Sequence, residues 1–409
     1  MAASGGAGLH GFAVFLAVAT LGLLGVGGLV TSHGAGMAVP DWPNTYGYNM
    51  FFFPFSQWVG GVFYEHTHRL VASGVGLLTV VLALWLYGRR ARRVMRWGGL
   101  TLLLVGVGVA VASPGRWGDG VVLSLAGVAL FGASWIWPRS EPSATWLRRC
   151  GLAAVVAIVL QGVLGGLRVV LLKDAIGIFH AALAQLFFVL ICAMALFTSR
   201  WWQSLPGRNV SAIDYRLATL FLLTTVLILG QLALGAAMRH QHAGLAIPDF
   251  PLAYGRLWPG MDAASIAHYN ARRLEIVAVN PITALQIGLQ MAHRFLALAI
   301  LSAAAFAARS ARRTLGARNP LSRLALGWLG LILTQALLGA ATIWSNKAAD
   351  IATAHVIVGA LCLMVGAVMS LVAFRELAGS SRWADSPVFA EQLSLSLLEP
   401  RPSAGAGLH

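Results

Sequence analysis

The sequence predicts an all-α integral membrane protein: two homologous four-helix bundles from a parallel internal duplication, plus an inserted two-helix hairpin, about ten transmembrane helices in all. Three observations lead there. The 409 residues are 58% hydrophobic and only 11% charged, with a mean hydropathy of +0.75. So few charges cannot solvate the surface of a water-soluble protein. Apolar runs long enough to cross a bilayer at 1.5 Å per residue recur along the chain. And a fourteen-residue motif occurs twice, 208 residues apart.

The expected spans are roughly 11–31, 67–87, 97–113, 119–137, 150–170, 177–198, 217–237, 288–308, 324–344 and 354–374. Helices are expected because a lipid-facing strand needs a closed barrel, whose mark is alternation rather than an unbroken run such as 217–234. The first span lacks a basic flank and leads directly into the repeated motif, so it reads as a retained helix rather than a cleaved signal. No Arg-rich transit peptide precedes it, which points to a bacterial inner membrane.

The formal charge of +15 does not indicate nucleic acid. With the N-terminus placed in the cytoplasm, segments 89–96, 139–149, 200–216, 309–323 and the tail carry 19 of the 29 Lys and Arg. The outer segments carry 8, and Arg69 and Arg294 lie in helices. This is the positive-inside bias, and its natural partner is membrane lipid with anionic headgroups. Cys150, Cys192 and Cys362 all fall in or at the inner ends of helices, so no structural disulfide is expected.

The repeat organises the rest. Residues 34–47 read GAGMAVPDWPNTYG and 242–255 read HAGLAIPDFPLAYG. EHTHR at 65–69 is answered by QMAHR at 290–294, QGVLGG at 161–166 by QALLGA at 335–340, and GIFHAALAQ at 177–185 by ATAHVIVGA at 352–360. The expected division is 1–87 with 149–200 as the first half, 88–148 as the inserted hairpin, 210–378 as the second half, and 379–409 as a disordered cytoplasmic tail. The hairpin, turned at Ser113-Pro114-Gly115, carries no evident chemistry and reads as a packing or partner-binding element. A longer outer loop after the second motif, 262–281, is a candidate cap.

Histidines suggest the chemistry. His68, His180, His293 and His355 hold equivalent places, two per half, each in the first turns after an outer loop. His33, His66, His240, His242 and His268 read as solvated loop residues, and His10 and His409 as terminal ones. Two imidazoles across a four-helix bundle, with no repeated Cys or carboxylate beside them, suit a haem rather than zinc, which wants further protein ligands. Gly25, Gly27, Gly28, Gly165, Gly166, Gly235 and Gly339 could leave room for a macrocycle or simply let helices approach. Arg69 and Arg294 are candidate propionate partners, with snorkelling to the interface as the plainer reading.

One position breaks the symmetry. Three residues before the second-helix histidine stands Glu65 in the first half and Gln290 in the second. A carboxylate at i, i+3 from His68 can face the same ligand and take a proton or stabilise charge. That suggests a substrate haem in the first half and a permanent haem in the second.

These motifs, A-G-x-A-x-P-D-[WF]-P, E-x-x-H-R and the two later helix-start histidines, resemble the haem A synthase family over most of the chain outside 88–148 and the tail. The resemblance implies that the second half holds haem b between His293 and His355. It implies that the first half takes haem O as substrate at His68 and His180, and that Glu65 is the catalytic residue as a ring methyl is oxidised to the formyl group of haem A. Such an oxidoreductase would serve terminal oxidase assembly, with a haem O synthase and assembly factors as expected partners. Some bacterial members carry a cysteine pair in the first outer loop, which is missing here. The alternative is a di-haem b electron-transfer protein without turnover, disfavoured because all four ligands lie on one side.

Overall fold

The structure is a computed structural model, and it describes residues 4–205, 213–272 and 281–384. Within these residues nine continuous stretches are long and apolar enough to span a membrane. One, Gly60–Ala112, runs 53 residues. As a single helix it would reach about 80 Å, far beyond a hydrocarbon core of about 30 Å. It is broken at Gly88–Arg90 by one 3-10 turn, so it supplies two crossings and the membrane helices number ten among the described residues.

In chain order the helices are α1 (Ser4–Ser32), α2 (Gly60–Tyr87), α3 (Ala91–Ala112), α4 (Trp117–Ile136), α5 (Thr145–Val170), α6 (Asp174–Thr198), α7 (Arg200–Ser204), α8 (Tyr215–His240), α9 (Ala263–Ala271), α10 (Ala284–Leu315), α11 (Pro320–Trp344) and α12 (Ala349–Ala384). Polar signals set several ends. Asp214 accepts from the Leu217 amide to cap α8, and Thr283 with Gln286 forms a reciprocal capping box on α10. Asn319 followed by Pro320 opens α11. Helix α12 continues to Ala384, past the boundary expected at 379; residues 385–409 of the expected tail lie outside the described residues.

Buried apolar side chains form two main clusters. One joins α1, α2, α5 and α6 through Leu16, Val75, Leu82, Ala154, Phe187 and Ile191. The other joins α8, α10, α11 and α12 through Phe221, Ile228, Ile300, Ala304, Trp328 and Met369. Between them α1 and α6 face α8 and α12. Small residues allow that close approach: a Cβ on Gly28 would lie 3.0 Å from Thr353 Cγ2, and one on Gly25 3.1 Å from Ile357 Cδ1. Arg239 of α8 crosses the seam, donating to the Gly28 carbonyl at 2.8 Å and to Ser32 Oγ at 2.6 Å.

Neither main cluster includes a residue of α3 or α4. This hairpin is held together by glycines instead. A Cβ on Gly99, Gly106, Gly120 or Gly127 would come within 2.5–2.6 Å of a backbone nitrogen on the facing helix. Its tip touches the first motif loop: Asn49 Nδ2 donates to Asp119 Oδ1 at 2.8 Å, and Phe52 stacks on Trp117.

Two short helices were not anticipated, α7 and α9. Asp262 caps α9 by accepting from the Ser265 amide and hydroxyl, and those bonds hold its carboxyl below the usual carboxylate range. Tyr269 of α9 stacks on Tyr254 with ring centroids 3.6 Å apart, so α9 lies against the second motif loop. Part of the candidate cap, 273–280, lies outside the described residues.

Candidate haem-binding sites at the motif-loop end

Each motif copy folds into the same compact turn. Asp41 accepts from the amides of Tyr46 and Gly47, both at 2.8 Å; Asp249 accepts from Tyr254 and Gly255 at 2.7 and 2.8 Å. Tyr46 and Tyr254 adopt left-handed backbone, φ 49° and 54°, each followed by a glycine at φ 79° or 73°. The motif's Asp and its Tyr-Gly are therefore one device: a carboxylate satisfying two turn amides. Tyr46 and Tyr254 each donate their hydroxyl back to the carbonyl of Ala38 or Ala246. The Trp42-Pro43 and Phe250-Pro251 bonds are both cis.

Beneath these turns stand the four histidines, all within the first three turns of α2, α6, α10 and α12. A glycine on the preceding long helix of the same bundle seats each ring. A Cβ on Gly27 would lie 3.1 Å from His68 Cε1, on Gly165 3.4 Å from His180, on Gly235 3.3 Å from His293 and on Gly339 3.1 Å from His355. Gly25 and Gly28 instead serve the seam, and Gly166 lies under Trp42. The glycines thus divide into ring seats and helix contacts, a distinction that spacing alone does not reveal.

The glutamines of these helices, which the sequence analysis gives no role, carry the rings' polar support. His180 Nδ1 lies 3.2 Å from the Gln161 carbonyl while Gln161 Nε2 donates to the His180 carbonyl at 3.0 Å. His355 Nδ1 lies 3.1 Å from the Gln335 carbonyl, and Gln335 Nε2 is 3.5 Å from His355 Nε2. Gln231 Nε2 donates to the His293 carbonyl at 2.9 Å. A legible signal existed: Q-x-x-x-G occurs at 161/165, 231/235 and 335/339, placing the glutamine one turn from the seat on the same face. The first helix has Leu23 there.

Glu65 and Gln290 occupy the same place and perform the same structural task. Glu65 is 4% exposed; Oε2 accepts from the Val39 amide at 2.9 Å and Oε1 from Arg69 Nη2 at 2.8 Å. Gln290 is 2% exposed; Oε1 accepts from the Ile247 amide at 2.7 Å, while Nε2 donates to the Ile247 carbonyl at 3.2 Å. Both clamp the motif loop onto its helix. The arginines one turn on complete the clamp. Arg69 donates to the carbonyls of Asp41, Asn44 and Val39, so its terminal nitrogens are saturated. Arg294 donates to Leu252 and Asp249, with its Nε buried and without a hydrogen-bond partner among the described residues.

Two other histidines differ from expectation. His66 is 0% exposed rather than solvated, with Nδ1 3.1 Å from Thr45 Oγ1 and its ring between Phe53 and Trp58. It is buried because α2 begins at Gly60, earlier than expected, and the loop folds over its first turns. His240 is also withdrawn, its side chain 8% exposed and its ring against Gly177 of α6. His33, by contrast, is exposed and stacks on Tyr64.

The residues fit a haem. Nδ1 of His68 and of His293 is buried without a partner among the described residues, an arrangement that costs free energy until a ligand or water relieves it. A proton on Nδ1 of His180 and His355, directed at a backbone carbonyl, leaves the Nε2 lone pair for a metal. Among the described residues no group of three or more His, Cys, Asp or Glu side chains converges, so a zinc-type donor set is not what they offer.

A family model described as cytochrome oxidase assembly protein matches residues 116–367. That stretch includes His180, His293 and His355; Glu65 and His68 lie before it. The chain is also similar to the heme A synthase of Rhizorhabdus wittichii, 32% identical over 249 residues, 60% of this chain and 65% of that protein. It thus matches just under two thirds of that relative's length. With a family match over more than half its residues, the chain belongs to the cytochrome oxidase assembly protein family.

Proposed function

We propose that the protein is a haem A synthase, oxidising the ring methyl of haem O to the formyl group of haem A. The observation that carries this reading is the paired construction of the site. Four half-buried imidazoles each rest on a glycine, two per bundle, beneath a motif loop clamped by Glu65 in one half and Gln290 in the other. On this reading the halves descend from one duplicated unit. His293 and His355 hold haem b, which when bound supplies a reversible one-electron couple. His68 and His180 hold the substrate.

The protein's own residues then have definable tasks. Gly27 and Gly165 fix how far the rings of His68 and His180 can retreat, which orients the substrate. The Pro-Asp-Trp-Pro loop, pinned by Glu65 and Arg69, closes the outer end and excludes water. Glu65, buried and three residues before His68, places a carboxyl group where the second half has an amide, and its Oε1 and Oε2 are the atoms that would carry a proton. By the positive-inside bias the site lies toward the outer face of a bacterial inner membrane, with the N-terminus in the cytoplasm.

The test is co-expression with a haem O synthase and chromatography of extracted haems from wild type and Glu65→Gln. Gln290 makes the same amide contact in this fold, so the substitution removes the charge while a loop clamp remains possible. Wild type is expected to accumulate haem A, and the variant haem O or a hydroxylated intermediate. Wild type yielding haem b alone would refute the reading.

A further inference from the structure

We infer that Arg168, a residue with no counterpart in the second half, anchors a carboxylate of the ligand held by His68 and His180. This rests on the proposed reading of the first half as the substrate site. The QGVLGG and QALLGA motifs place Thr342 opposite Arg168, so the first half has a guanidinium at this position and the second a hydroxyl.

Arg168 lies three residues after Gly165, the seat of His180, and therefore on the same face of α5, about one turn nearer the motif loop. A ligand gripped at His180 would extend its polar edge toward that end. The loop makes room: Gly36 packs against the guanidinium, and a Cβ there would lie 2.6 Å from Arg168 Nη1. The matching Gly244 has nothing within 4 Å of such a Cβ. The first motif copy thus meets an arginine at this glycine, and the second copy does not.

Arg69 and Arg294 were the sequence candidates for a carboxylate, yet they clamp the loops, and Arg69 has only Nε left. Arg168 has one recorded acceptor among the described residues, Asp174 Oδ1 at 3.2 Å, while its Nε is buried without a partner. A guanidinium offers five donors in a fork suited to a carboxylate. Asp174 also lies 3.9 Å from His240 Nδ1, and Arg239 beside it is engaged by Gly28 and Ser32. Arg168 and Arg239 are two guanidiniums beside one carboxylate, Asp174, and a ligand carboxylate balances the second.

The experiment titrates haem O and its dimethyl ester into the full chain already carrying haem in its second half, reading the absorbance change that His180→Ala abolishes. Wild type is expected to bind the acid at least tenfold more tightly than the ester, the range of one charge-assisted bidentate contact. Arg168→Gln should weaken the acid by a similar factor and erase the distinction, with Arg168→Lys intermediate. The retained second-half haem reports folding of each variant. Equal binding of acid and ester by wild type, or undiminished discrimination in Arg168→Gln, would overturn the assignment. If neither form binds the first half while the second stays loaded, the substrate-site reading fails and this inference falls with it.

Discussion

Placing a methyl group under His355 by Gly339→Ala tests the ring seats directly. The new Cβ would stand 3.1 Å from Cε1, 3.7 Å from Nδ1 and 3.8 Å from Nε2. The ring must yield by a few tenths of an ångström, and its tether to the Gln335 carbonyl restricts where it can go. In the unliganded chain a small tilt relieves the contact, and the helix gains about 1 kcal/mol from replacing glycine by alanine. With Nε2 held by a metal the tilt is no longer free, and overpacking of this kind costs about 1–3 kcal/mol. The penalty therefore falls on the liganded state. Haem affinity of the second half should drop by about 5- to 150-fold with little loss of thermal stability. Gly339→Leu, which cannot be accommodated by tilting, should abolish the bis-imidazole signature. The assay is haem stoichiometry and the reduced-minus-oxidised spectrum of purified protein beside its melting curve. Full haem content and an unchanged spectrum in Gly339→Leu would refute the ring-seat argument.

Two further outcomes follow from the geometry. Gly106→Leu drives a side chain into the backbone of α4, where a Cβ alone would already lie 2.5 Å from the Ser124 nitrogen. It should open the α3–α4 hairpin, seen as new proteolysis at 113–116, while haem content is retained, because no ring seat lies on that hairpin. Asp41→Ala removes the acceptor for two solvent-facing turn amides, a loss of about 1–2 kcal/mol. Faster amide exchange over 39–47, with 247–255 unchanged, is the expected reading; protection equal to wild type would contradict the turn's dependence on that carboxylate.

Composition and apolar run length determined that the chain is a helical membrane protein, because the bilayer leaves few alternatives for a chain this poor in charge. The spaced copies of the motif and the matched histidines were legible too, since self-similarity needs no structure. Helix ends were less so: α2 starts at Gly60, earlier than hydropathy suggests, which put His66 inside a helix and under the loop. Tertiary structure decided how those residues are used. Which glycines seat a ring and which pack helices depends on what faces them across the bundle. Arg69 and Arg294 hold the motif loops because each loop folds back over its arginine. Arg168, unremarkable in sequence at the end of a helix, gained its significance from Gly36, more than a hundred residues away, and from donors left unspent. Periodicity and pattern are local properties of a chain; the satisfaction of buried polar groups is a property of the whole fold, so it could be read only there.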